Sequence, residues 1–314
     1  MTGGEVNRDW SIGNWLYAGC YRSRVIDSEF VLPVPVVGDL PVGVSVRWLG
    51  TAGFEIRYGD HVVLIDPYLT RASLGRCALG RLSPDIAAIT RHISRADAII
   101  VGHTHFDHVL DVPTIARLTR GTVFGSRSAA TLCGVDGVPP AQIRDVEDLL
   151  CAGTYVEEVG PFELRFFPSA HSKLLLGRRV PAPGDIVDCE QVPVSVGGFR
   201  CGAVFAVEIR VAGRTIFHLG SAELVEGSLP SREVDLLLFC AAGWQQTPNV
   251  CERALSRLSP RAVLLSHWDD FFRPIDRGTH ALPGVQLPRI VDRFRTAARD
   301  VRVGVTPLLG EVLL

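Results

Sequence analysis

Regular alternation of hydrophobic and polar residues begins at Val44, after a stretch over 1–43 with little periodicity. The alternation over 44–49 and 54–58 is typical of strands with one buried face. Gly59 and Asp60 then predict a tight turn before a more apolar strand that ends near Asp66. The pattern therefore predicts three successive strands at the start of the folded body.

Further along the chain, short apolar runs alternate with stretches of helical periodicity. The apolar runs predict strands over 98–101, 155–159, 162–167, 203–211, 215–219, 234–239, 262–265 and 301–305. The helical spacing predicts helices over 110–119, 126–133, 250–258 and 290–298. Two irregular connections, over 67–97 and 171–201, interrupt this pattern, and we expect short helices in the first of them.

Strands at both ends of the body, with helices interspersed in each half, predict an α/β fold with packed sheets and outer helices. We divide the chain into an N-terminal extension over 1–43 and a body over 44–314. The extension is rich in aromatic residues and contains a Pro/Val-rich stretch. An arm that packs on the body is therefore a simpler interpretation than a separate binding module.

Composition narrows the class of protein. Of the 314 residues 47% are hydrophobic, which excludes intrinsic disorder, and the net charge of −2 gives no reason to expect a nucleic-acid partner. No apolar stretch reaches the roughly 18 residues of a membrane helix. The first residues also lack the apolar core of a secretory signal. We therefore expect a cytoplasmic protein without a membrane partner, with free thiols rather than disulfides among its cysteines.

The most informative segment is His103-Thr-His105-Phe-Asp107-His108, which directly follows an apolar strand. Histidines two positions apart on an extended segment can hold one ion, and Asp107 and His108 can face a second ion nearby. Imidazole nitrogens with one carboxylate suit Zn²⁺, with Mn²⁺ or Fe as alternatives. A purely structural role would leave the desolvation of these polar groups largely uncompensated, so the segment predicts a metal site.

With this segment in place, the chain resembles the metallo-β-lactamase superfamily over residues 44–314. The other stretches that carry the resemblance are Leu49-Gly-Thr-Ala-Gly-Phe-Glu-Ile, Leu64-Ile-Asp66-Pro, Ser169-Ala-His171-Ser, Phe217-His-Leu-Gly-Ser221 and Leu265-Ser-His267-Trp. The first two look most like the branch of small cytoplasmic metal-dependent hydrolases. The resemblance implies a four-layered αβ/βα sandwich with metals at one edge of two facing sheets.

Carried over position by position, the resemblance also implies two groups of metal ligands. These groups are His103, His105 and His171 for the first ion, and Asp107, His108 and His267 for the second. Asp107 and His108 would also be catalytic, with Asp107 orienting the nucleophile as well as binding the metal. Asp66 matches the family's strand-end aspartate, which either orients a histidine ligand or caps the turn before Pro67.

One position departs from the family's pattern. The family usually has Gly-Asp at the end of the matching strand, and that aspartate bridges both metals, whereas this chain has Gly220-Ser221. Ser221 is then a weak ligand or a replacement for the bridge, and whether the chain holds one or two ions stays open. Other carboxylates that would restore a bridge are Glu223, Asp269 and Asp270, although an ordinary loop role is simpler for each.

A bound metal lowers the pKa of water from 15.7 to about 7 and polarises a carbonyl or phosphoryl oxygen. We therefore predict a hydrolase that uses metal-bound hydroxide to cleave an ester, thioester, lactone or phosphodiester of a small molecule, anionic or neutral. Arg178 and Arg179 are candidates for binding an anionic group, with a solvated loop as the alternative. Two other functions stay open: a metal- or ligand-binding protein with reduced turnover, and a metal-dependent redox or biosynthetic enzyme. The oligomeric state has no signal in the sequence.

Overall fold

A computed structural model of the chain describes residues 30–38, 42–150, 153–174, 177–187, 189–282 and 284–314. Within these ranges, two seven-stranded sheets face each other, and helices cover their outer faces. This arrangement confirms the predicted α/β sandwich. Most of the predicted N-terminal extension, residues 1–29 and 39–41, lies outside the described residues.

The first sheet contains both termini of the described body. Its strands are β1 (Val44–Gly50), β2 (Gly53–Tyr58), β3 (His61–Ile65), β4 (Ala98–Ile100), β5 (Thr122–Gly125), β6 (Ile143–Asp145) and β14 (Glu311–Leu313). The strands lie in the order β14-β1-β2-β3-β4-β5-β6. Pairing is antiparallel from β14 to β3 and parallel from β3 to β6.

The second sheet repeats this mixture of antiparallel and parallel pairs. Its strands are β7 (Tyr155–Val159), β8 (Phe162–Ser169), β9 (Val204–Val211), β10 (Arg214–Leu219), β11 (Val234–Cys240), β12 (Pro260–Ser266) and β13 (Arg302–Gly304). The order is β13-β12-β11-β10-β9-β8-β7. Pairing is antiparallel from β7 to β10 and parallel from β10 to β13.

The helices form the outer layers of the sandwich. They are α1 (Leu74–Leu79), α2 (Ile86–His92), α3 (Phe106–Val109), α4 (Val112–Thr119), α5 (Arg127–Val135), α6 (Val146–Leu149), α7 (Val250–Leu258) and α8 (Leu287–Ala297). Helices α4 and α5 pack on the first sheet, whereas α7 and α8 pack on each other beside the second. No helix in the described part of the chain is long and apolar enough to cross a membrane.

The core follows from the period-two alternation of the strands. In β3, Val63 and Ile65 belong to the cluster between the two sheets, whereas Val62 and Leu64 belong to the cluster under the helices of the first sheet. Both faces of this strand are therefore buried, as expected for a strand whose sheet is covered on both sides. The same alternation fixes which side chains at the strand end face the site.

The last strand differs from the prediction. The run over 301–305 does form a strand, β13, but the chain continues and ends with β14, which pairs with β1 through Val46 and Val312. A three-residue strand has too few positions for alternation to be visible in the sequence. Residues of the N-terminal segment lie against both strands, since Leu32 N donates to Val305 O and Val36 N donates to Leu313 O, each at 2.9 Å.

Candidate metal centre

The candidate ligands lie where strands of both sheets end. In the first sheet, β3 and β4 are parallel, and Asp66 and His103 follow their carboxyl ends. In the second sheet, β8, β10 and β12 run in one direction, and each is followed by a residue of the candidate site. Because parallel strands end at the same edge of a sheet, residues distant in sequence converge there.

The first predicted group comes together as the sequence suggests. The ligand atoms of His103, His105 and His171 lie within 4.8 Å of one another. His103 Nε2 is 3.1 Å from His105 Nδ1, and His171 has its ring centroid 4.7 Å from that of His105. Two nitrogens bound to one tetrahedral zinc lie roughly 3.3 Å apart, given bonds of about 2.0–2.1 Å. The spacing of this pair therefore fits one shared ion.

The second predicted group lies beside the first. The ligand atoms of Asp107, His108 and His267 also lie within 4.8 Å of one another, and His267 Nε2 is 3.2 Å from Asp107 Oδ2. Helix α3 places Asp107 and His108 in its single turn, and the rings of His108 and His103 are only 3.8 Å apart. The two groups therefore form one continuous cluster at the edge between the sheets.

Backbone carbonyls orient two histidines of the first group. The Nε2–H of His105 donates to Pro181 O at 2.9 Å, and the Nδ1–H of His171 donates to Ser172 O at 2.7 Å. Each bond fixes the proton on the outer nitrogen and leaves the lone pair of the other nitrogen facing the cluster. This is the arrangement by which metal-binding histidines are held in proteins.

Asp66 orients His108 in the same way. Its Oδ2 accepts from His108 Nδ1 at 2.9 Å, and its Oδ1 accepts from the backbone N–H of Gly102 at 2.6 Å. The carboxylate is fully buried, and its backbone is left-handed, with φ at 42°. This geometry is the one that the orienting role requires, since it leaves His108 Nε2 for a metal.

Burial sets the protonation state of the histidines. Burial, and then the neighbouring imidazole of His105, lowers the pKa of His171 to about 3. Burial likewise lowers the pKa of His103 and of His105. Neutral imidazoles carry the lone pair that a metal needs, so near neutral pH these three residues are ready to bind a cation.

The second group carries a negative charge. Burial alone would raise the pKa of the Asp107 carboxyl, but the imidazoles of His108 and His267 together lower it well below its usual range. Burial also lowers the pKa of His108, and Asp66 and Asp107 outweigh that effect and raise it. The two groups therefore differ in charge, because only the second one contains an ionised ligand.

Ser221 is engaged by the turn that carries His171. Its Oγ accepts from the backbone N–H of Ser172 at 2.9 Å and lies 3.4 Å from the Ser172 hydroxyl. The carboxylates considered as alternative bridges are paired elsewhere: Glu223 with Arg253, Asp269 with Arg71, and Asp270 with Arg273. Among the described residues, none of these three carboxylates therefore joins a group of candidate ligands.

The chain has clear relatives among known proteins. A family profile described as Beta-lactamase superfamily domain matches residues 61–268. A "UPF0173 metal-dependent hydrolase" from Polynucleobacter asymbioticus is 34% identical over 270 residues, covering 84% of this chain and 83% of that protein. The chain belongs to the metallo-β-lactamase superfamily. The resemblance predicted from the sequence is thus confirmed, and at the level of the family so is the expectation of a metal-dependent hydrolase.

Solved structures support the fold of this superfamily member. Igni18, a metallo hydrolase from Ignicoccus hospitalis, is similar with a TM-score of 0.52 and 14% identity, covering 86% of this chain and 98% of that one. CmlA, a diiron beta-hydroxylase from Streptomyces venezuelae, is similar with a TM-score of 0.50 and 13% identity, covering 88% of this chain and 55% of that one. At such identities the likeness concerns the fold alone.

The predicted substrate-binding arginines lie on the loop whose Pro181 contacts His105. Arg178 and Arg179 are exposed, and their backbone N–H groups donate to Leu174 O. Further along the same loop, Pro181 touches His105. The structure thus places the arginines on a loop that reaches the cluster, and their role in binding stays a prediction.

Sequence reasoning missed Asp111, which anchors the loop behind the candidate site. The buried Asp111 carboxylate accepts from the backbone N–H groups of Leu69 at 2.6 Å and Thr70 at 2.8 Å. Burial raises the pKa of this carboxyl to about 6, although both bonds favour the charged form. Its position three residues after His108 was the available signal, because a side chain one turn further along lies on the same helical face.

Proposed function

We propose that the chain hydrolyses an ester, thioester, lactone or phosphodiester of a small molecule at a metal centre formed by His103, His105, His171, Asp107, His108 and His267. The observation that carries this proposal is the orientation of three histidines by fixed outer acceptors. Pro181, Ser172 and Asp66 take their outer N–H groups. Hydrogen bonds of this kind prepare imidazoles for a metal.

A bound divalent ion would supply an activated water and polarise the scissile carbonyl or phosphoryl group. The chain's own contribution is to hold that water and the substrate. Asp107 stays ionised because its neighbours lower its pKa, so it acts as a ligand and an acceptor rather than as a strong base. His108 stays fixed by Asp66, and His105 stays fixed by the carbonyl of Pro181.

The charge of the site favours an anionic substrate. The three-histidine group brings no negative charge, and Ser221 replaces the carboxylate that usually bridges the metals. Bound dications would therefore keep more of their positive charge than in a site with that bridge. Arg178 and Arg179, on the loop whose Pro181 contacts His105, would add to this field. A cytoplasmic location and a small-molecule partner, with neither nucleic acid nor membrane, complete the proposal.

Zinc is the metal we propose, in two ions per chain, with manganese or iron as alternatives. The Ser221 hydroxyl accepts a hydrogen bond from Ser172 N and, because it is neutral, cannot hold two cations together. This favours one competing function, a metal- or ligand-binding protein with reduced turnover. Iron with a visible absorbance band would instead favour a non-hydrolytic redox enzyme. These alternatives differ in the metal that the protein binds and in whether it hydrolyses a substrate.

The test combines metal analysis with a substrate panel. The metal-replete chain is assayed on nitrophenyl ester, thioester, lactone and phosphodiester probes, together with His105→Ala and the matched control His61→Ala. His61 lies at the start of β3, far along the strand from Asp66. We expect H105A to lose at least about a hundredfold in kcat/KM, about 2.7 kcal/mol, and H61A to keep it. A loaded chain that hydrolyses none of the probes would contradict the hydrolase and favour the binding protein.

A further inference from the structure

A buried ion pair joins the two sheets beside the candidate metal centre. Arg71 follows β3 in the first sheet, and Asp269 follows β12 in the second. Arg71 Nη1 lies 2.7 Å from Asp269 Oδ2, and the two side chains are 2% and 0% exposed. Burying two charges is costly unless their remaining polar atoms also find partners. The other hydrogen-bond partners of Arg71 and Asp269 therefore indicate which segments of the chain this ion pair holds in place.

The rest of the guanidinium binds the loop after β12. Arg71 Nε donates to Arg273 O at 2.7 Å, and Arg71 Nη2 donates to Asp270 O at 2.9 Å. Gly50 makes room for this side chain, because a Cβ at that position would lie 2.3 Å from Arg71 Nη1. Only the planar, forked guanidinium can make all of these contacts at once, which a lysine cannot reproduce.

Asp269 is connected to His267 through two hydrogen bonds of the Thr51 backbone. Its Oδ1 accepts from Thr51 N at 3.0 Å, and Thr51 O accepts from His267 N at 2.7 Å. His267 has a left-handed backbone with φ at 54°, and Thr51 has φ at 52°. Non-glycine residues keep such conformations only where their surroundings hold them. On one side of His267, Arg71 and Asp269 hold the backbone in this conformation through Thr51.

We propose that the Arg71–Asp269 pair is a positioning device for His267 and sets the metal affinity of the Asp107–His108–His267 group. Neither residue belongs to a group of candidate ligands. The inference rests on the proposed function, since it assumes that these groups bind metal. A purely stabilising role is the weaker explanation, because buried ion pairs contribute little net stability compared with well-packed apolar residues.

The experiment compares Arg71→Lys with the wild type and with Arg95→Lys. Arg95 pairs with Asp97 at 2.8 Å in an exposed ion pair just before β4, so it controls for loss of a guanidinium. Zinc stoichiometry is measured by elemental analysis, and the affinity of each site by competition with a chromophoric chelator. We expect R71K to lose about tenfold or more in affinity at the Asp107–His108–His267 group, as for residues that orient metal ligands, with the three-histidine group unchanged. R95K should match the wild type at both sites.

The double variant R71K/H267A identifies the route of the effect. Because Arg71 acts through His267, the double variant should bind zinc as H267A alone does. Further loss in the double variant would overturn the inference, and so would an R71K protein with a lower Tm but unchanged affinities. If R71K fails to fold, Asp269→Asn takes its place with the same expectations. A wild type that loads no metal would overturn the proposed function, whereas a loaded wild type matched by R71K overturns this inference alone.

Discussion

Replacing Asp66 by asparagine should weaken the second metal group while leaving the backbone in place. Both oxygens of Asp66 accept a hydrogen bond, one from Gly102 N and one from His108 Nδ1. An asparagine offers one acceptor and one NH₂ group, so in either orientation a donor faces a donor. If its oxygen stays on Gly102, the proton of His108 must move to Nε2, the nitrogen that faces Asp107. Asparagine tolerates the left-handed backbone at this position, where φ is 42°.

The size of the effect follows from the contact that is lost. Removing a group that orients a metal-binding histidine typically costs 10- to 100-fold in metal affinity, or about 1.4–2.7 kcal/mol. The fully buried position of Asp66 excludes a water molecule as a ready replacement, so we expect a value toward the upper end. The three-histidine group has its own acceptors and should keep its affinity.

The assay is zinc competition with a chromophoric chelator, run on protein whose folding has been checked by circular dichroism. Asp97→Asn is the matched control, because Asp97 also accepts a backbone N–H on this sheet, from Val62 N at 2.8 Å, and is partly exposed. Equal zinc affinity in D66N and the wild type would refute the reasoning. An equal loss in D97N would do so as well, since the effect would then not be specific to His108.

Three further predictions follow from the same structure. Trp48→Ala removes a buried ring that stacks on Trp268 at 4.9 Å, and urea unfolding should show a loss of about 3–5 kcal/mol; a loss below 1 kcal/mol would contradict the packing. In the metal-free protein burial lowers the pKa of His171 to about 3, against about 6.5 in the unfolded chain. The unfolded chain therefore binds more protons between these two pH values, and stability should fall as pH drops below 6.5. Thermal melts from pH 7.5 to 4.5 should show a weaker dependence in His171→Gln, and an identical dependence would count against this origin. Stripping metal with a chelator should lower Tm, since a ligand at 100 times its Kd stabilises by about 2.7 kcal/mol, and an unchanged Tm would contradict metal binding by the native state.

The parts of the fold that rest on local patterns were predictable from the sequence. Strands β1 to β3 alternate clearly, and four candidate ligands are close together in the chain, from His103 to His108. By contrast, β6 and β14 have three residues each, and their pairing comes from tertiary contacts rather than from propensity.

The supporting contacts of the site were not predictable. The Arg71–Asp269 pair joins residues from opposite sheets, and no spacing or residue type connects them before the chain is folded. The role of the Pro181 carbonyl, which accepts the hydrogen bond from His105, could not be predicted from the sequence either, because every residue has a backbone carbonyl. Ser221 shows the opposite case: its departure from the family's pattern was visible at once, but its bond to Ser172 needed the structure.

The most direct test of the metal centre is the metal content of freshly purified protein, measured by elemental mass spectrometry without added metal. With two groups of three ligands, we predict two transition-metal ions per chain in the wild type, and one fewer in His267→Ala. His61→Ala should match the wild type. A wild type free of metal, even after reconstitution with zinc, manganese or iron, would contradict the account.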